Sequence, residues 1–205
     1  PDGTGRLFEA DSRVRFSFHY HSVGEEVTDQ TELGLVLYPE GFEPDHILYS
    51  RQLGQAGELD IPAGQVTRHD GYTKMYLPGK LTGFQPHMHF RGSRMLLEAI
   101  HADGRRQVLT DVPRYEQVWQ LTYTYEEPHL FPAGTILHSV AWHDNTAGNR
   151  SNHDPNNWVG DGGRTIDEMG FSWLGWYDLS EEDYAAQLAE RKALQEAAAS
   201  NNNNQ

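Results

Sequence analysis

Alternation of apolar and polar residues dominates the chain. In Arg13-Val-Arg-Phe-Ser-Phe-His-Tyr-His21, residues Val14, Phe16, Phe18 and Tyr20 fall on one face, with Arg13, Arg15, Ser17, His19 and His21 on the other. A period of two is that of a half-buried strand. The same reading predicts strands over 33–38, 46–50, 65–69, 73–77, 81–89, 94–101, 106–111, 117–125, 135–143 and 169–178. Turn signals separate them, among them Pro39-Glu-Gly41, Pro62-Ala-Gly64, Pro78-Gly79, Ala102-Asp-Gly104 and Pro132-Ala-Gly134. About ten short antiparallel strands of this kind predict an all-β jelly roll or β-sandwich. The intervals are too short for crossover helices, which argues against a parallel α/β sheet.

Two stretches break the alternation. Residues 144–168 are rich in Asp, Asn and Gly and read as one long loop, a length often tied to function. Residues 180–199 read as a helix with Ser180 as its cap. Glu181, Glu182 and Asp183 occupy its first turn, where the helix dipole favours negative charge. The expected organisation is therefore an N-terminal extension (1–12), a β domain (13–178), and a C-terminal helix with a frayed tail (179–205).

Composition narrows the partners. A net charge of −14 repels a phosphate backbone, so nucleic acid is not expected. The absence of cysteine removes thiolate metal sites, disulfides and thiol nucleophiles together. No apolar run is long enough to span a membrane and no secretory signal is present, while the start at Pro1 rather than Met suggests a processed chain or a fragment.

The sharpest chemical signal is His87-Met-His89. Residues i and i+2 of a strand share a face, roughly 7 Å apart, so two imidazoles can converge on one metal ion without bending the backbone. Two exposed strand histidines would give the same pattern. Met88 falls on the opposite face and cannot join such a chelate.

The surroundings add a resemblance. Pro86-His-Met-His-Phe-Arg-Gly92, Glu98-Ala-Ile-His-Ala-Asp-Gly104, Ala141-Trp-His-Asp-Asn-Thr146 and Arg164-Thr-Ile-Asp-Glu-Met-Gly170 occur in this order. Together they resemble the C-terminal half of the copper type II, ascorbate-dependent monooxygenases, the family of peptidylglycine α-hydroxylating monooxygenase and dopamine β-monooxygenase, and in particular its bacterial members. The resemblance implies one copper ion held by His87, His89 and Met169. A thioether is a soft ligand suited to Cu(I), which agrees with that set. Read alone, Met169 is equally an ordinary core methionine.

The family's second copper takes one histidine from a His-Tyr strand, which Phe18-His19-Tyr20 resembles, with His21 as a candidate helper on the same face. Its other two ligands form a His-His pair, and this sequence contains no such dipeptide. Substrate groups differ as well. Gln85 stands where the peptide-amidating enzymes carry an arginine, and Phe171 and Trp173 replace a polar pair. A desolvated carboxylate needs a charged or multiply donating partner, so amidation of peptidylglycine is not expected.

Three further histidines fit supporting roles. His143 and His138, five apart on one strand, face opposite sides, so at most one approaches the metal. His143-Asp144-Asn145 could instead anchor the long loop. His69-Asp70 reads as an oriented imidazole behind the ligands, or as a plain structural pair. The oxygens of Asp144, Asn145, Asn149, Asn152, Asp154, Asn157 and Asp161 raise calcium as a minor alternative. Their spacing is not that of an EF-hand, and Asx turns account for the same composition.

Three functional readings stay open. The chain is the oxygen-activating half of a copper monooxygenase, with its second electron supplied by another domain or partner. Or it is a non-catalytic subunit docked on a larger periplasmic redox assembly, such as one containing a cytochrome, with the appended helix as docking element. Or it is a copper carrier. Each implies a periplasmic or extracellular location.

Overall fold

The computed structural model describes residues 3–18, 20, 23–54 and 58–202. Its strands are β1 (Thr4–Gly5), β2 (His46–Ile47), β3 (Tyr49–Leu53), β4 (Val66–Lys74), β5 (Gly79–Met88), β6 (Gly92–Ile100), β7 (Arg106–Val112), β8 (Tyr123–Phe131), β9 (Ile136–Asp144) and β10 (Gly170–Asp178), followed by the helix α1 (Glu181–Asn202). Two four-stranded antiparallel sheets form, in the orders β3-β10-β5-β8 and β4-β9-β6-β7. Short β1 and β2 pair in parallel. Between β3 and β10 the chain changes sheet at every connection except the β6–β7 hairpin. The protein is thus a β-sandwich of the jelly-roll kind, as the alternation predicts.

The core lies between the sheets. Phe84 and Met88 of β5, Met95 and Leu97 of β6, Phe131, Leu137, Leu174 and Trp176 are all fully buried. Each contributes about 1.5–3 kcal/mol by leaving water. Gly71 of β4 packs closely against Gly54, just past the end of β3. A Cβ on Gly71 would collide with the Gly54 backbone, and Gly54 itself has φ +106°. The helix starts as expected: the Asp183 amide donates to Ser180 Oγ at 3.0 Å.

The predicted and observed elements differ in several places, and the expected strand 46–50 is split into β2 and β3. Strands 65–69 and 73–77 are one continuous strand, β4. The strand placed at 117–125 begins at Tyr123 and runs on through Pro128. A proline reads as a strand stop, but β8 is an edge strand, where a missing N–H costs no ladder bond. The strands expected over 13–21 and 33–38 do not form: among the described residues from 6 to 45 there is no strand. Phe16, Phe18 and Tyr20 are 50%, 50% and 70% exposed, because no neighbouring strand covers their apolar face.

Candidate metal centre

His87 lies one residue before the end of β5 and His89 just beyond it. Their rings come together at 5.4 Å between centroids, nearly perpendicular at 81°. Met88 between them points into the core, as its parity predicts. In the β5–β10 ladder Phe171 stands opposite His87 and Gly170 opposite Met88. Directly opposed residues share a face, and the rings of His87 and Phe171 are 4.6 Å apart. The ladder ends at Gly170, and Met169 precedes it by one residue; continuing the register would set it across from His89. Met169 is half-buried.

Both imidazoles are oriented through Nδ1. His87 Nδ1 donates to Gln120 Oε1 at 2.6 Å, and His89 Nδ1 donates to the Asp167 carbonyl at 2.9 Å. Each bond fixes a tautomer whose lone pair is on Nε2, the arrangement that metal-binding histidines adopt. Gln85 reaches His87 only through Gln120, its amide donating to the Gln120 carbonyl at 3.4 Å.

The turn after His89 is clamped by Asp167-Glu168-Met169. The buried Glu168 carboxylate accepts the amides of His89 (3.0 Å) and Arg91 (2.7 Å). Behind them, Tyr115 holds both peptide groups of Met88, donating to its carbonyl at 2.6 Å and accepting its amide at 3.0 Å. The Arg91 side chain is 4% exposed; it donates to Asn145 Oδ1 and to the Ile166 carbonyl. Asn145 in turn donates to the carbonyls of Ile61, Pro62 and Asn157. Burial raises the Glu168 carboxyl to about 7, against the lowering effect of the Arg91 and His89 amides.

The remaining candidates separate. His138 and His143 face opposite sides, as expected. His138 is held between Glu98 and Asp70, each at 2.6 Å, far from the histidine pair in the ladder. Asp70 therefore orients His138, not its neighbour His69. His69 faces His143 instead, and neither touches His87 or His89 through a hydrogen bond. His143 is fully buried, and its Nε2 donates to the Met169 carbonyl at 3.0 Å. Burial holds its ring down at about 4. His19 and His21 lie outside the described residues. The loop oxygens largely serve Asx turns: Asp144, Asn149, Asn152 and Asp154 each accept the amide two residues on.

Sequence reasoning missed Gln120, Tyr115, Glu168 and Arg91 as supports, while Asn145 anchors the loop as its place in His143-Asp144-Asn145 suggested. For Glu168 a signal existed: a glutamate one residue before a proposed ligand is a natural brace. For Gln120 and Tyr115, 31 and 26 residues from the histidine pair by numbering, none did. Further along the same sheet, a cavity of about 340 Å³ is lined by Ser50, Thr82, Gly83, Gln85, Thr122 and Trp173 among others, but by neither histidine. Among the described residues no group of three or more His, Cys, Asp or Glu is placed to hold a metal ion. Two imidazoles and a thioether make a different kind of centre.

No protein-family model and no curated protein matches the chain. Among solved structures it is similar to the VP2 subviral particle of infectious bursal disease virus, with 11% identity and a TM-score of 0.30 over 69% of this chain and 36% of that one. A structure of the Gt strain of the same virus gives 12% identity and a TM-score of 0.27 over 69% and 37%. The chain spans little more than a third of either. Superpositions this loose carry no argument, and the fold class rests on the strands themselves.

Proposed function

We propose that the chain is the metal-holding β-sandwich of a copper monooxygenase-type system, with His87, His89 and Met169 as ligands to one copper ion. The remaining redox components would belong to another domain or to a partner in a larger periplasmic or extracellular assembly. One observation carries the reading: the Asp167 carbonyl and the Glu168 carboxylate both bond to His89, so the next residue in the chain, the proposed thioether ligand Met169, follows directly on the segment tied to the histidine pair.

The donor set fits copper better than zinc, because a thioether adds little for zinc. When bound, copper would supply one-electron redox chemistry toward dioxygen. The protein's own part is orientation and exclusion of water. Gln120 and the Asp167 carbonyl hold the imidazoles, and Phe171 and Trp173 form an aromatic wall. With Gln85 in place of a cation, that wall suits an uncharged substrate rather than a carboxylate.

Titration of Cu(I) against a colorimetric chelator is expected to give one tight equivalent per chain. Met169→Ile is expected to weaken Cu(I) by about tenfold or more, with Cu(II) affected less. Unchanged Cu(I) affinity in Met169→Ile would remove the thioether from the site. The docked, non-catalytic subunit is the second reading, and the exposed aromatic row Phe16, Phe18 and Tyr20 favours it. Absence of bound copper in a folded chain would select it.

A further inference from the structure

His69 of β4 and His143 of β9 present their Nδ1 atoms to each other at 3.2 Å. Their Nε2 atoms face backbone carbonyls, that of Asp60 at 3.3 Å for His69 and that of Met169 at 3.0 Å for His143. A carbonyl only accepts, so both Nε2 atoms carry the hydrogen. Two neutral rings in that tautomer turn two lone pairs toward one point. Lone pairs at this separation repel, and a shared cation resolves the conflict.

The separation suits a metal. With metal–nitrogen bonds of about 2.0–2.1 Å, nitrogens this far apart subtend roughly 100–106° at the ion, close to tetrahedral. The second ring nitrogen of each histidine rests on a carbonyl, the usual way a ligand imidazole is held. A third group lies on the same face. Thr67 pairs directly with His143 across the ladder and precedes His69 by two residues. Its Oγ1 is buried and finds no hydrogen-bond partner among the described residues. A hydroxyl that loses water without replacing it costs about 1–3 kcal/mol, and an ion or its bound water at this point would relieve that cost. The net charge of −14 favours cation entry.

We propose that His69 and His143, through Nδ1, with the Thr67 hydroxyl beside them, form a second metal site for a divalent first-row cation of the zinc class. It is separate from the His87–His89 pair. The two lie on either side of Asp167–Met169, whose backbone supplies a carbonyl to His89 on one side and to His143 on the other. The inference does not rest on copper at the first pair, and it stands or falls independently.

The test uses the full chain carrying His87→Ala and His89→Ala, titrated with Co²⁺ as a spectroscopic stand-in for Zn²⁺. One equivalent with visible d–d bands of a four- or five-coordinate ion is expected. Adding His69→Gln should weaken binding by about tenfold or more. His69 is half-buried, so this change is expected to leave the fold intact, checked by circular dichroism. No Co²⁺ bound by the double variant, or binding undiminished by His69→Gln, overturns the site. A second measurement needs no variant. Imidazole ¹⁵N spectra of the unaltered chain should show two histidines protonated at Nε2 whose Nδ1 resonances move on adding Zn²⁺. A pair that simply shares a proton, with His69 protonated at both nitrogens and no Zn²⁺-dependent shift, also overturns it.

Discussion

Strand β5 and the segment 13–20 begin from the same kind of sequence. Both alternate, both carry aromatic residues, and both hold a His-x-His triplet. In β5 the alternation is realised. The strand lies between β10 and β8, paired with β10 along its length and with β8 from Gly79 to Phe84, and Phe84, Pro86 and Met88 are buried. In 13–20 the aromatic rings stack along one face, Phe16 on Phe18 at 5.7 Å and Phe18 on Tyr20 at 6.0 Å, yet they meet solvent. The difference is the neighbour. Alternation says which face of a strand can be buried, but burial itself requires an adjacent strand and an opposing sheet. The triplet at 87–89 gains its shape from what surrounds it: the clamp of Asp167–Met169 on one side and Tyr115 behind.

The contrast is broken most severely by removing the clamp's anchor. Arg91→Ala leaves the buried Glu168 carboxylate and Asn145 Oδ1 without the guanidinium between them. Above pH 7, where Glu168 is ionised, breaking a buried charged pair from one side costs about 3–5 kcal/mol, and Arg91 and Glu168 are 3.8 Å apart with both side chains nearly inaccessible. Urea unfolding should show that loss, and copper affinity at His87–His89 should fall with it. A cost below about 1 kcal/mol would mean the clamp is not what orders the turn.

A smaller effect comes from pH in the metal-free chain, where the two buried groups beside Met169 oppose each other. Glu168 is raised from 4.5 to about 7. Its folded form holds a proton that the unfolded chain has lost, so its contribution is full below pH 4.5 and is lost as pH rises through about 7. His143 is lowered from 6.5 to about 4. Its contribution is full above pH 6.5 and is lost as pH falls through about 4. Between roughly pH 4.5 and 6.5 the two slopes offset. Glu168→Gln removes one of them. The variant's stability should then rise with pH across that window, while the unaltered chain stays nearly flat. Parallel profiles for the two proteins would show that Glu168 is ionised in the fold.

The sandwich was legible because its strands obey a local rule. Phe84 to Met88 and Met95 to Ala99 each show their buried face in the residue order, and Pro-Ala-Gly turns mark strand ends. The histidine pair was legible for the same reason, since parity alone puts His87 and His89 on one face and Met88 on the other. What surrounds them was not. Gln120 reaches His87 from the loop before β8, and Tyr115 reaches Met88 from the turn after β7. These contacts depend on how sheets stack, which no local pattern encodes. The reading of His69-Asp70 failed for a related reason. Adjacent strand residues point to opposite faces, so Asp70 turned outward to His138 while His69 turned inward to His143.

The mildest change tests the other half of the comparison. Phe16→Ser removes a ring that is half exposed, stacks on Phe18 and is not part of the core cluster. Surface substitutions of this kind stay within about 0.5 kcal/mol, so urea unfolding should be almost unchanged. Hydrogen exchange should agree: amides of 14–18 exchange fast, and those of β5 from Gly79 to Phe84, paired on both edges, exchange slowly. A loss of about 2 kcal/mol or more, with protection of 14–18 comparable to β5, would place this segment as a strand on a sheet edge. The alternation would then have been right in both regions, and the difference between them would lie in what covers the aromatic face.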